Sequence, residues 1–206
     1  MINFAGMKAE ESNGNDFGQL PVGAYVAKTL KVELTGSAPD QSLVLYLDVS
    51  EGEYERFFMK KFDAQKKAGS QYGEVKFKGI YRLRIPNPEN TAAQYPETDM
   101  RRFNDMIAKY QNSNPGIELY NVNGLNEQRL VGLMVGINMQ EDSYNGNTFT
   151  RIGKLENVED VRIGKVRPMQ PRRRSGGDAD DSAFIPAPIV DQQSGFTAVE
   201  TDELPF

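Results

Sequence analysis

Alternation of apolar and polar side chains is the feature of this sequence that most restricts its fold. In the clearest stretch, one set of alternate positions is uniformly apolar: Leu43, Leu45, Leu47 and Val49. Successive side chains of a strand point to opposite faces of a sheet, so this pattern predicts a strand with one buried face. Because similar alternation returns along much of the chain, we predict a mainly β protein.

The same alternation predicts five further strands, at residues 22–34, 53–62, 76–85, 128–140 and 148–158. The first of these has a fault at Lys28, which predicts a bulge or an edge at that point. The short connection at residues 50–52 predicts a hairpin between the second and third strands. The pair Asn145 and Gly146 predicts a hairpin turn between the last two strands, since both residues tolerate a positive φ.

One segment, residues 96–112, has the spacing of a helix instead. Thr98 is its expected N-cap, with Asp99 in the first turn. Its apolar positions recur every three to four residues and should face a core: Met100, Phe103, Met106, Ile107 and Tyr110. The sequence from Asn114 to Gly116 should end the helix.

Composition excludes several kinds of chemistry. The 206 residues include no Cys and no His, which rules out disulfides, thiol nucleophiles, the usual zinc sites and imidazole catalysis. The acidic group at Asp178, Asp180 and Asp181 lies in a segment that offers no scaffold for a magnesium ion. We therefore expect a protein that is not an enzyme and that needs no cofactor and no metal.

Nothing in the chain indicates a membrane protein. The longest apolar run, residues 130–139, is interrupted by Gly132 and Gly136 and is too short to span a bilayer. The first residues lack the basic and apolar regions of a signal peptide. We expect a cytoplasmic protein with no membrane partner.

The charge of the chain is divided unevenly between its body and its C-terminal segment. The net charge is −5, but seven of the 29 Asp and Glu residues and none of the 24 Lys and Arg residues lie beyond Gly176. The preceding residues therefore carry 22 acids against 24 cations and are slightly basic. A nucleic-acid surface on this body would have to come from local clustering of cations.

The chain ends in a short acidic and apolar tip made of Asp202, Glu203, Leu204, Pro205 and Phe206. The segment before it has few apolar residues and is broken by prolines, so we expect it to be disordered. The tip resembles the C-terminal peptide of bacterial and phage single-stranded DNA-binding proteins. In that family such a tip recruits replication and repair enzymes and follows a flexible linker from an OB-fold.

The resemblance implies an OB-fold, a five-stranded, partly open barrel with a helix in the middle of its chain. The predicted order of strands, helix and final hairpin agrees with an OB-fold-like barrel of five or six strands, although a small six-stranded sheet is an alternative. We divide the chain into a flexible arm (1–20), an OB-fold-like nucleic-acid-binding domain (21–166), and a disordered linker and protein-interaction tail (167–206).

An OB-fold holds a single strand with cations for the phosphates and aromatic rings for the bases. The predicted strand at 76–85 presents four cations on one face, and neighbouring strands add aromatic side chains. The candidate DNA-binding residues are Tyr46, Phe57, Lys61, Lys76, Lys78, Arg82, Arg84 and Arg151, with Lys60 and Tyr144 as further candidates. The alternative for the basic strand is a solvated face whose charges discourage edge pairing. Phe57 could equally belong to the core.

We expect a non-sequence-specific single-stranded DNA-binding protein of phage replication or recombination, which recruits partner enzymes through its tip. The acidic tail would also compete with DNA for cations, including the arginines of residues 167–174. The alternative is an OB-like adaptor that binds replication or recombination proteins without binding DNA. The sequence leaves open whether the chain forms a homo-oligomer and whether it prefers DNA or RNA.

Overall fold

The computed structural model describes residues 18–173, except residues 39, 70–73, 88–95, 122–123 and 145–146. These residues belong to one compact unit, Met1–Ser175. The second unit, Gly176–Phe206, lies outside the described residues, as do most of the predicted arm and the whole predicted tip.

The described chain contains eight strands, three α-helices and one 3₁₀ turn. In order these are β1 (Gly23–Thr35), β2 (Ser42–Val49), α1 (Phe57–Ala68), β3 (Ile80–Arg84), α2 (Pro96–Ser113), β4 (Tyr120–Asn121), β5 (Gly124–Leu125), the 3₁₀ turn (Glu127–Leu130), β6 (Met134–Tyr144), β7 (Asn147–Glu156), α3 (Val158–Arg162) and β8 (Arg172–Arg173). No helix among them is long and apolar enough to cross a membrane.

The main sheet has the strand order β3-β2-β1-β6-β7, and all four of these pairings are antiparallel. The short β8 adds a parallel pairing to β6, and β4 pairs only with β5. The long central strand β1 pairs with β2 through its second half and with β6 through its first half. The prediction of a mainly β fold is confirmed.

One face of the sheet packs against α2 around a single apolar core. The alternate positions 43, 45, 47 and 49 of β2 are all buried, as their pattern predicted. The irregularity predicted at Lys28 lies slightly later, where the β1–β2 register shifts between Thr29 and Lys31. Thr29 is buried and its hydroxyl lies 2.6 Å from that of Tyr110, which ties α2 to β1.

The predicted helix is confirmed as α2, with a difference at its beginning. It begins at Pro96, so Thr98 lies inside the first turn instead of at the N-cap. Four of the five apolar positions are buried: Phe103, Met106, Ile107 and Tyr110. Met100, nearer the start of the helix, remains 38% exposed.

The strand predicted at 53–62 is wrong, because this part of the chain is a turn followed by α1. The helical segment is rich in Lys, Ala, Gln and Met and lacks Gly and Pro, so its helix propensity is high. The Asp48 carboxylate accepts hydrogen bonds from the backbone N–H groups of Val49 and Phe58 and so satisfies a donor at the start of the helix. The prediction of only one helix is therefore also wrong.

Two other predicted strands begin later than expected. Residues 74–79 lie outside any strand, and β3 begins at Ile80. The predicted strand at 128–140 opens as the 3₁₀ turn and becomes β6 only at Met134. Tyr144 pairs with Asn147 across the final hairpin, and the two residues predicted to form its turn lie outside the described residues.

The folded body extends beyond both predicted boundaries. Leu20 is 1% exposed, and the Gln19 side chain bonds to the backbone of β7 at Thr148 and Thr150. At the other end, residues 167–173 lie along β6: Asn138 and Gln140 donate to backbone carbonyls there, and β8 follows. Residues that we had assigned to an arm and a linker thus belong to the body.

Candidate nucleic-acid interface

The face of β1, β2 and β3 opposite the core carries a mixture of charged and aromatic side chains. Residues opposite one another in paired strands share a face, so the register places Lys31 beside Tyr46 and places Arg82 in line with Glu33 across β2. Arg84 follows Arg82 on the same side of β3. We call this surface the outer face and define it by Lys31, Glu33, Tyr46, Arg82 and Arg84.

Three half-buried aromatic rings form a continuous row at one end of the outer face. The ring centroids of Tyr46 and Phe77 are 6.0 Å apart, and those of Phe77 and Phe62 are 5.9 Å apart. We call these three residues the aromatic row. Phe58, which is 5% exposed, packs beneath Phe77 at 6.2 Å and connects the row to the core. This support holds the three rings in place before any ligand is present.

The segments that carry Phe62 and Phe77 are rich in cationic side chains. Residues 56–84 contain nine Lys and Arg residues against two carboxylates. Most of these cations are exposed: Arg56, Lys60, Lys66, Lys67, Lys76, Lys78 and Arg82. They come from Arg56 just before α1, from α1, from the segment before β3 and from β3 itself, so this part of the chain is more basic than the body as a whole.

A small network ties the Tyr46 ring to its neighbours. The Tyr46 hydroxyl donates a 2.6 Å hydrogen bond to Glu33 Oε2, while Lys31 Nζ lies 2.7 Å from Glu33 Oε1. The same ammonium lies 5.6 Å from the centroid of the Tyr46 ring, within the range of a cation–π contact. Burial and the Glu33 contact raise the pKa of the Tyr46 hydroxyl above its ordinary value, so it stays protonated.

Three of the eight predicted DNA-binding residues belong to the outer face: Tyr46, Arg82 and Arg84. Lys76 and Lys78 are exposed in the segment leading into β3. The prediction that they share one strand face with Arg82 and Arg84 is wrong, because this segment is not part of a strand. On α1, Lys61 donates a 2.6 Å hydrogen bond to the Gly18 carbonyl and lies 5.8 Å from the Phe57 ring; Lys60, one position earlier, is exposed.

Phe57 does not have the exposed position that a strand would have given it. Its ring is 9% exposed and belongs to the core cluster, where it packs edge-on against Tyr54 and Phe58. The cause is the replacement of the predicted third strand by α1, which turns its first residues inward. Of the two roles that the sequence left open for Phe57, the structure gives it the core role.

Arg151 lies on β7, away from the register rows of the outer face. Its Nε lies 3.1 Å from Asp142 Oδ2, and the Asp142 side chain is completely buried. The Arg151 side chain is 28% exposed, and the ion pair joins β7 to β6. Tyr144, at the end of β6, is 51% exposed. The structure therefore does not bring these two candidates into the aromatic row.

The sequence reasoning missed Phe77 and Phe62. In the predicted strand at 76–85, Phe77 alternates with the cations and so falls on the opposite face from them, and its ring does pack against the core. The chain approaches β2 closely at Gly79, whose carbonyl accepts a 2.7 Å hydrogen bond from Leu47 N and where a Cβ would lie only 2.1 Å from the Leu47 carbonyl oxygen. A glycine inside a strand pattern is the available signal for such a close backbone approach.

Comparison with known proteins adds no family to these observations. No family model matches the chain, and no curated protein matches it either. Within the described part of the chain, no group of three or more acidic side chains could hold a metal ion. What the outer face offers chemically is a set of flat rings for stacking and nearby cations for phosphate groups.

Proposed function

We propose that this protein binds single-stranded DNA without sequence preference, in phage DNA replication or recombination. The observation that carries the proposal is the aromatic row beside a concentration of cations. Stacked bases contribute about 1–3 kcal/mol each, and every base has a face that can stack. Lysine and arginine contacts to phosphates add attraction that does not depend on sequence.

The form of the surface favours a single strand over a duplex. In a duplex the flat faces of the bases are already stacked on their neighbours, so the aromatic row could not reach them. In a single strand the faces are available, and a chain of phosphates can follow the cations of α1 and β3. The half-buried rings need little reordering to stack, which limits the entropic cost of binding.

The fold adds support for an OB-like barrel as the scaffold of this function. Numbering the five main strands in chain order, the sheet order is third, second, first, fourth, fifth, which is the order of an OB barrel opened between its third and fifth strands. Residues of the two outer strands, β3 and β7, come within 8 Å of one another, Cα to Cα. The helix α2 lies between the third and fourth main strands in the chain, where an OB-fold carries its helix.

The recruiting role of the C-terminal tip stays a proposal from sequence, because residues 202–206 lie outside the described residues. An apolar terminal residue beside carboxylates suits a partner surface with an apolar pocket and a rim of Arg or Lys. In this scheme the body holds the strand and the tip docks replication, repair or recombination proteins.

Charge reversal on the outer face tests the proposed function. Fluorescence anisotropy would follow the titration of a labelled single-stranded oligonucleotide with full-length protein at low and high salt. We expect the double variant Arg82→Glu/Arg84→Glu to lose binding. The matched control is Arg101→Glu/Arg102→Glu, which makes the same charge change on the exposed side of α2 and should retain most of the affinity.

Equal losses in the two double variants would show that bulk charge, and not the outer face, governs binding. Absence of binding by the folded wild-type protein at low salt would contradict the proposal and would favour an adaptor that binds proteins alone.

A further inference from the structure

A carboxylate lies among the cations of the outer face. Glu33 uses one oxygen to contact Lys31 Nζ at 2.7 Å and the other to accept the 2.6 Å hydrogen bond of the Tyr46 hydroxyl. These are the two contacts that a phosphate group would make at the same place: an ammonium and a hydroxyl donor beside a ring that can stack a base. The Glu33 carboxylate therefore occupies the position that a negatively charged phosphate of the strand would take.

Glu33 is ionised at neutral pH. Burial would raise the pKa of this carboxyl, but the contacts from Lys31 and Tyr46 and the charge of Arg82 together hold the pKa below its ordinary value. The side chains of Lys31 and Glu33 are 43% and 34% exposed, so water screens their ion pair. Exposed ion pairs of this type contribute little to stability and exchange partners readily.

We propose that Glu33 is a built-in competitor for phosphate at the subsite formed by Lys31 and Tyr46, and that an incoming strand displaces its carboxylate. This inference rests on the proposed function, because it concerns a phosphodiester of the same single strand. The free protein keeps this subsite neutral. Binding then releases Glu33 to water and transfers Lys31 and the Tyr46 hydroxyl to the phosphate.

Such competition limits both the affinity and its salt dependence. When a phosphate contacts a free ammonium, a counterion condensed on the strand is released. When a phosphate replaces Glu33 instead, the displaced carboxylate can bind a cation from solution, and this uptake offsets the release. The residual repulsion between the displaced carboxylate and the strand also opposes binding. The protein would therefore release the strand more easily than its cations suggest, which suits a protein that must give way to partner enzymes.

The variant Glu33→Gln tests this inference, because its amide oxygen can still accept the Tyr46 hydrogen bond while the charge is gone. We expect full-length Glu33→Gln to bind a labelled single strand roughly three- to tenfold more tightly at low salt, the order expected for one nearby like charge. The slope of log affinity against log salt should steepen by about 0.7, the contribution of one single-strand phosphate contact. The matched control is Glu159→Gln, an equal charge change at an exposed position of α3, and it should alter both quantities much less.

A second test compares the effect of Lys31→Gln on strand affinity in the wild-type protein and in Glu33→Gln. Since Glu33 already neutralises Lys31, the loss of Lys31 should weaken binding less in the wild-type background than in Glu33→Gln. A double-mutant cycle of the two residues measures this difference. A loss from Lys31→Gln that is the same in both backgrounds would overturn the inference.

The outcomes separate the inference from the proposed function. Wild-type binding that Glu33→Gln leaves unchanged or weakens overturns the competitor role and leaves strand binding in place. No binding by either folded protein overturns both. Tighter binding by Glu33→Gln with no change in Glu159→Gln supports both.

Discussion

Tyr46 is the residue that connects the core-supported aromatic row to the charged part of the outer face. Its ring contacts both Phe77 and the Lys31 ammonium, and its hydroxyl donates a hydrogen bond to Glu33. A side chain fixed on both sides in this way presents its ring in one orientation. Stacking of a base on a fixed ring does not require the ring itself to move.

Substitution of Tyr46 separates the ring from the hydroxyl. We expect Tyr46→Ala to weaken single-strand binding by about 1–3 kcal/mol, the amount typical of one stacked base. Tyr46→Phe keeps the ring and should retain most of the affinity. Anisotropy titration of both variants checks this expectation, and a large loss in Tyr46→Phe would show that the hydroxyl and not the ring makes the important contact.

Asp48 gives a prediction about pH and stability. It is 4% exposed, and burial raises the pKa of its carboxyl to about 6 despite the opposing hydrogen bonds from the backbone of α1. The unfolded chain holds this proton with a pKa of about 3.9. The folded state therefore binds the proton more tightly, so the contribution of Asp48 to stability is full below about pH 4 and is lost as the pH rises through about 6.

Asp48→Asn should remove this dependence, because an amide oxygen can still accept the hydrogen bond from Phe58 N without titrating. Urea unfolding of both proteins from about pH 4 to about pH 7 measures the difference in their free energies of unfolding. We expect the wild-type protein to lose stability relative to Asp48→Asn over this range. A relative gain would contradict the direction of the pKa shift.

At the scale of the elements, the join between α1 and β3 decides which side chains reach the outer face. Gly79 lies where this segment crosses β2, and an added Cβ would lie 2.1 Å from the Leu47 carbonyl oxygen and 2.8 Å from the Phe58 ring. A backbone atom cannot move aside cheaply. The absence of a side chain at position 79 therefore allows Phe77 to pack between Phe58 and Tyr46.

We expect Gly79→Ala to destabilise the protein by about 1–3 kcal/mol, as overpacking typically does. Single-strand binding should fall with it, since Phe77 shifts together with its segment. Gly18→Ala is the control, because a Cβ there would meet no atom within 4 Å. Thermal unfolding of both variants checks the stability part, and equal transition temperatures would contradict this account of Gly79.

The elements also show how far the sequence could predict the structure. Alternation identified β1, β2 and β7, and helical spacing identified α2, because their apolar positions recur at a regular period over many residues. β2 nevertheless buries residues on both of its faces. Alternation failed at residues 57–68, where the apolar and charged side chains fit both the two-residue period of a strand and the 3.6-residue period of a helix. The hydrogen bond from Phe58 N to the buried Asp48 carboxylate favours the helix there. Of the site, the cations on β3 and Tyr46 were predictable, whereas the aromatic row depends on contacts between distant segments.

At the scale of the whole molecule, the uneven distribution of charge predicts an effect of the C-terminal segment on binding. The seven carboxylates of this segment and the phosphates of a strand would compete for the Lys and Arg side chains of the body. We expect a chain that ends at residue 174 to bind single-stranded DNA more tightly than the full chain, with a steeper dependence on salt. Anisotropy titrations of both chains over a range of salt concentrations measure the two slopes.

A full-length variant with these seven carboxylates replaced by amides is the control for chain length. It should behave like the shortened chain if charge is the cause. Equal salt slopes in the full and shortened chains would remove the competition between the C-terminal segment and DNA, and would leave the interface on the body unaffected.

The central claim is that a single strand stacks on the aromatic row. Photo-crosslinking of the full-length protein to an oligonucleotide that contains 5-iodouracil, followed by peptide mapping, tests this claim most directly, because the crosslink forms where a base lies against a side chain. We expect adducts at Tyr46 and Phe77, with Phe62 as the next position along the row. Adducts confined to exposed aromatic side chains elsewhere, such as Tyr120 and Tyr144, would contradict it.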